Sequence, residues 1–436
     1  MKIKQLSILS LVVAGALVAC TPKYETPVYS KGDINPTRFV MIGGSTTSGY
    51  MNDGLYREGQ ENSVAAILAG QLKLVGGGEF YQPLVSESSV GISGAGLAPL
   101  KLGYKTDCLG ATSLSPVRVS ASGDMSVFTQ NVYDASKPFG NFSVPGLSLS
   151  TITLSNFASL NPFYGRMASP SAANVLEDAK NSDPTFFALS LGIEDVLNYA
   201  KAGGHNVQLP DVATFQAAYE NVIVNMTDNG AKGVVSTIPD VKDMPFFTTI
   251  PWNGLTLDQA NADLLNGFYN QIGFSFHVGS NPFMMVDTAA NAFGVRQVLE
   301  GERLLLSIPL DSVKCNKMGV LFPFRDEFVL NASEITYLQG KINAYNDVIR
   351  SLAVQYGLAI VDLDVYSNKL TSSFVYNGVS MSAVFVSGGT YSLDGINFNA
   401  RGNALLANEY IKAINKKYKA TIPQVDAAKY NATFFP

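Results

Sequence analysis

Histidine is nearly missing from this chain, with two residues among 436, beside three cysteines and a single tryptophan. So few soft ligands exclude a zinc cluster, which draws its ligands mainly from Cys and His side chains. No metal and no cofactor are expected. An excess of positive charge is missing too. Thirty Lys and Arg stand against 35 Asp and Glu, a net charge of −5, which argues against a nucleic-acid partner held by phosphate neutralisation. No repeat of about 20–50 residues recurs, so a solenoid or propeller is excluded. With 47% hydrophobic residues the chain is not disordered as a whole, and its length permits one large domain or two to three small ones.

What is present begins at the N-terminus. Lys2 and Lys4 precede an apolar run from Leu6 to Val18, followed by Leu17-Val18-Ala19-Cys20, which reads as a bacterial lipobox. The run is about 13 residues, short of the roughly 20 that a spanning helix needs. Residues 1–19 are therefore expected to be a lipoprotein signal peptide, with Cys20 carrying the lipid. Thr21, where an Asp often retains lipoproteins in the inner membrane, favours the outer membrane. Residues 20–37 hold three prolines and few large apolar side chains, as a lipidated tether would. Residues 38–436 are expected to form one domain. Cys108 and Cys315 then remain, and an oxidising envelope allows either a bridge or two free thiols.

Beyond the tether, short apolar runs alternate with amphipathic ones. Phe39 to Ile42, Phe186 to Leu191, Gly233 to Ile238 and Leu358 to Leu363 read as buried strands. Met284 to Val286 and Leu304 to Ile308 are further candidates. Helices are expected from Ser63, over Asp211 to Asp228, from an N-cap at Ser333 to Tyr356, and over Ala404 to Ile414. This alternation predicts an α/β fold: three layers, with a doubly wound parallel sheet covered on both faces. Residues 76–165 and 309–332 break the pattern and read as loop and β-rich insertions. A doubly wound sheet gathers its chemistry at the carboxyl ends of its strands.

Four segments at such places carry the functional signal. Gly43-Gly44-Ser45 follows the first strand, and Asn141-Phe142-Ser143-Val144-Pro145-Gly146 comes second. Leu191-Gly192-Ile193-Glu194-Asp195 follows the Phe186 strand, and Asp394-Gly395-Ile396-Asn397 precedes the last helix. In this order they resemble the four blocks of the SGNH/GDSL hydrolases, in particular a lipoprotein branch from Bacteroidetes-type bacteria. The resemblance implies a flavodoxin-like sheet and a serine nucleophile at Ser45. It further implies an oxyanion hole from Gly146 and the position of Glu194, and an Asp-x-x-His pair at Asp394 and Asn397.

Three family residues are replaced. Gly44 stands for the aspartate before the serine, Glu194 for the oxyanion asparagine, and Asn397 for the histidine. Asn397 has no titratable nitrogen and cannot take the serine proton. Losing one oxyanion donor costs about 10²–10³ in rate. An ionised carboxylate about 4 Å from an oxyanion adds roughly 4 kcal/mol of repulsion at an effective dielectric near 20. His205, His277 and Glu194 are the substitute bases to weigh.

The expectation is an SGNH-like outer-membrane lipoprotein with impaired catalysis. It would act as a ligand- or partner-binding subunit beside a β-barrel or another envelope protein. The alternatives are an active serine esterase or lipase on acyl esters of lipids or glycans, with an atypical base, and a carbohydrate-binding surface lipoprotein.

Overall fold

The structure, a computed structural model, describes residues 28–436; the signal peptide, Cys20 and part of the tether lie outside the described residues. Five strands form a wholly parallel sheet: β1 Phe39–Gly43, β2 Asn141–Ser143, β3 Phe186–Ser190, β4 Lys232–Ser236 and β5 Ala359–Val361. Their spatial order is β5-β4-β3-β1-β2. Every residue of β1 and β3 is buried, as expected where a parallel sheet is covered on both faces. The chain runs from β1 to β2 on one side, then returns past β1 to build β3, β4 and β5 on the other. Strand order therefore reverses between β1 and β3, and a crevice opens there at their carboxyl ends.

Helices α1 Val64–Lys73 and α5 Ala400–Tyr418 pack together over one face. On the other lie α2 Ile193–Lys201, α3 Val212–Thr227 and α4 Ala332–Gln355. The expected α/β fold is the observed one. Ser63 caps α1 and Asp211 caps α3. The cap of α4 is Asn331 rather than Ser333. Its side chain accepts from the N–H groups of Ser333 and Glu334, and Glu334 returns an oxygen to the Asn331 N–H, forming a capping box. That reciprocal pair satisfies more orphan donors than a serine two residues later could.

The insertions differ from expectation in two respects. The stretch 76–165 contains β2, so part of it belongs to the sheet. Met284–Val286 and Arg303–Leu304 do not join the sheet; each forms a short antiparallel pair, with Val295–Gln297 and Val329–Leu330. Their side chains instead fill two small apolar clusters, around Leu265 and Met284 and around Met285 and Phe324. The second elaboration therefore extends well ahead of residue 309. Cys108 and Cys315 are joined by a disulfide spanning 207 residues. It ties the hairpin Leu100–Thr106/Thr112–Arg118 to the helix Leu310–Asn316, and two ion pairs, Lys105–Asp311 at 2.7 Å and Lys314–Asp107 at 2.9 Å, join the same elements. No helix among the described residues is long and apolar enough to cross a membrane.

Candidate functional site

β1 ends at Gly43, and the chain turns at once through Gly44 into a four-residue helix that starts with Ser45. This sets Ser45 at the mouth of the crevice, partly exposed, while Thr47 and Ser48 are buried behind it. Thr47 Oγ1 donates to Ser143 Oγ at 2.9 Å and the Val144 N–H donates to the Gly43 carbonyl at 2.9 Å, fastening the turn to β2 and the loop after it. That loop carries Gly146, whose φ of 82° falls in the left-handed region that a glycine enters without strain. The Gly146 N–H donates to Ser45 Oγ at 3.3 Å.

The loop is held from two sides. Asn161 Nδ2 donates to the Pro145 carbonyl at 2.8 Å, and Asp195 Oδ2 accepts the Leu149 N–H at 2.8 Å. Burial raises the pKa of Asp195, against the pull of the backbone N–H groups of Leu149 and Ser150.

Glu194, in the first turn of α2, is 6% exposed. Its Oε1 accepts the backbone N–H of Ser45 at 2.6 Å. A Cβ built on Gly44 would lie 2.3 Å from Glu194 Cγ and 2.7 Å from Oε1. The glutamate thus occupies the room that a side chain at position 44 needs. The bare backbone at position 44 and the carboxylate at 194 are one steric arrangement.

Asp394 lies in the loop ahead of α5. Its Oδ1 accepts the N–H groups of Ile396 and Asn397 at 2.8 and 2.7 Å, and its Oδ2 accepts the Asp53 N–H and Asn397 Nδ2, each at 3.1 Å. Burial raises its pKa, partly offset by these donors. Asn397 is 5% exposed, and with Nδ2 turned onto Asp394 its Oδ1 is left buried without a hydrogen-bond partner.

Ser45, Gly146, Glu194, Asp394 and Asn397 all line one cleft of about 350 Å³. The five residues expected from sequence are brought together. The two histidines are not among them. His205 Nδ1 faces Asp326 at 3.4 Å, and His277 Nδ1 lies 3.0 Å from the Val278 carbonyl oxygen. Neither borders the cleft, so neither replaces the missing base.

Sequence reasoning missed Asn52 and Asp53. Both adopt positive φ in a tight turn between Met51 and Gly54. The Asn52 N–H donates to Ser392 Oγ, Asn52 Oδ1 accepts the Leu393 N–H and the Asp53 N–H donates to Asp394 Oδ2, so this turn locks the Asp394 loop against the β1 side of the site. The run Asn-Asp-Gly is a turn signal that could have found it. Arg118, from the hairpin insertion, pairs with Asp53 at 2.6 Å.

Chemically, Ser45 has a hydroxyl facing an N–H donor but no base to accept its proton. Its own N–H, a donor that serine hydrolases turn on the oxyanion, is already engaged by Glu194. Among the described residues no group of three or more His, Cys, Asp or Glu could hold a metal.

No family model matches the chain, and no curated protein matches it. Solved structures similar to it include LAE5, an alpha/beta hydrolase enzyme from the metagenome of Lake Arreo, at 11% identity and TM-score 0.34 over 88% of this chain and 96% of that one. A protein described as a GDSL-like lipase from Parabacteroides merdae is similar at 8% identity and TM-score 0.36, over 88% and 99%. The lipase/acylhydrolase from Enterococcus faecalis is similar at 12% and 0.26, over 65% and 78%. Likenesses this distant leave the fold resting on the sheet order and the site on its own geometry.

Proposed function

We propose that this chain is an SGNH/GDSL-hydrolase-like lipoprotein, anchored by Cys20 in the outer membrane, whose cleft binds a ligand and does not turn over esters. The observation that carries this reading is the Glu194–Ser45 contact. A carboxylate holds the nucleophile's N–H at 2.6 Å and fills the space beside Gly44, so an arriving oxyanion meets a carboxylate next to the one remaining donor, Gly146. The buried amide at Asn397 keeps the shape of a triad without a proton acceptor. The basic and apolar leader around Lys2, Lys4 and Leu6 to Val18 supports the anchor, and an envelope protein such as a β-barrel suits a partner.

The second reading is a serine esterase on acyl esters of lipids or glycans. It is favoured by the retained approach of the Gly146 N–H to Ser45 Oγ. Hydrolysis of p-nitrophenyl acetate by the purified protein separates the two. The expected rate equals that of Ser45→Ala, close to the buffer blank. An ordinary enzymatic rate abolished by Ser45→Ala would establish the esterase instead.

A further inference from the structure

The tether leads directly into β1, so it joins the domain at the amino ends of the strands, opposite the cleft. There its last residues lie along the end of α5. Thr421 Oγ1 donates to the Val28 carbonyl at 3.1 Å, the Thr421 N–H to the Ser30 carbonyl at 2.8 Å, and the Asp33 N–H to the Tyr418 carbonyl at 2.8 Å. Tyr418 Oη donates to the Gly233 carbonyl at 2.7 Å, which fixes this junction to the start of β4.

The junction is basic. Lys416 and Lys417 stand in the last turn of α5, Lys419 follows it, Lys31 comes from the tether, and Lys232 is the first residue of β4. All five are exposed, and none pairs with a carboxylate among the described residues. Lys232 Nζ donates to the Asp33 carbonyl at 2.6 Å and lies 5.6 Å from the centre of the Tyr418 ring, so these segments gather at one place. Neighbouring charges cancel in pairs, Arg38 with Asp183, Lys73 with Glu79 and Lys180 with Asp228. Asp33 adds one carboxylate. On a chain of net charge −5 this end is a positive patch. A helix end attracts lysines in its own last turn, which accounts for Lys416 and Lys417 but not for Lys31 and Lys232 on other segments.

Chain length limits where the membrane can be. Eight peptide units separate Cys20 from Val28, a reach of at most about 26–29 Å when fully extended. The 19 residues of α5, which starts just after the Asp394–Asn397 loop and ends at Tyr418, set the cleft about 28 Å from the junction. A tether held in the leaflet reaches the level of the cleft only at full stretch. Nothing is then left to carry the domain round so that the cleft faces the lipid.

On the reading that Cys20 is the anchor, we infer that the lysine patch seats on the anionic phospholipid headgroups of the leaflet holding Cys20, and that the cleft opens away from that leaflet. A lipid chain joined to a basic patch is a two-signal arrangement that makes attachment stable, each lysine near the surface adding about fivefold. Past Asp53 and Lys201 the cleft meets a groove of about 630 Å³ beneath the disulfide-tied hairpin and helix. Both then take ligands from the aqueous side and not lipids of their own leaflet.

The test uses the full lipidated chain, extracted in detergent and reconstituted into vesicles that carry a nitroxide-headgroup lipid. The vesicles are phosphatidylcholine alone or mixed with phosphatidylglycerol. A fluorophore is placed on Val354→Cys, 76% exposed near the end of α4, or on Leu160→Cys, 63% exposed at the cleft. In the mixed vesicles the label at 354 should be quenched several-fold more than the label at 160. Leaving out phosphatidylglycerol, raising the salt, or combining Lys416→Gln, Lys417→Gln and Lys419→Gln should each cut the quenching at 354 at least twofold, while the protein still floats with the vesicles. Equal quenching at the two positions, or quenching at 354 that ignores all three changes, would overturn the seating. Mass spectrometry of the same preparation tells the two failures apart. A Cys20 without acyl groups overturns the anchor and the seating with it, whereas an acylated Cys20 with a quenched label at 160 overturns the seating alone.

Discussion

Glu194 and Gly44 share one volume: the glutamate's Cγ lies 2.3 Å from the point where a Cβ on Gly44 would stand. A chain with a side chain at position 44 has to move the carboxylate, and moving the carboxylate frees the Ser45 N–H. Stability and chemistry at the serine turn are therefore linked through two residues 150 positions apart in sequence.

Gly44→Ala should destabilise the protein by about 1–3 kcal/mol, the usual cost of overpacking a filled site. In a Glu194→Ala background the cost should largely vanish, because the clashing atoms are gone. Urea unfolding of the two single variants and the double variant measures the coupling. Equal costs in both backgrounds would show that Glu194 is not what confines position 44.

Asn397→His alone should gain almost no esterase activity, since the oxyanion would still face Glu194. Glu194→Asn alone should gain as little, for want of a base. Combined, the two changes should give far more than the sum of the singles, because activation and oxyanion stabilisation work as a unit. Initial rates on p-nitrophenyl acetate decide it; additive, marginal gains would count against the block assignment.

Glu334, in the capping box of α4, has its pKa raised to about 7, mainly by burial, with the charges of Asp326 and Glu302 adding to it and Arg296 opposing. The folded protein thus holds this proton more tightly than the unfolded chain does. Between the ordinary glutamate range and pH 7 the native state binds more protons, so stability from this group falls as pH rises through that window. Melting temperature should drop from about pH 5 to pH 8, and Glu334→Gln should flatten that part of the profile. A profile with the same slope in the variant would assign the effect elsewhere.

Cys20→Ala should release the protein into the soluble envelope fraction. Two or three acyl chains supply far more membrane affinity than a tether, and no described helix can span. Membrane association that survives a carbonate wash in the variant would mean that another surface holds it.

The strands, the two-layered helices and the cluster of Ser45, Gly146, Glu194, Asp394 and Asn397 were legible because each follows from local rules: apolar runs of strand length, helical spacing, and loops at strand ends. Met284–Val286 is a strand, as its apolar run suggests, but its place outside the main sheet is not legible, because a short apolar run does not say which partner it pairs with. The cap at Asn331 was missed in favour of Ser333, both being good cap residues two positions apart. The exchange between Gly44 and Glu194, and the clasp of Asn52 and Asp53 on the Asp394 loop, were invisible because they depend on contacts between segments far apart in the chain.

The Cys108–Cys315 bond closes a covalent circle that contains β2, β3 and β4 but leaves β1 and β5 outside it. Yet β1 lies between β3 and β2 in the sheet. The first strand to leave the ribosome is thus laid into a slot whose two sides both belong to the circle. A single protease cut between residues 108 and 315 leaves the pieces joined, whereas a reductant separates them. Reduction of an uncut chain would loosen the roof of the groove beside Asp53 while leaving the order of the strands beneath it as it was.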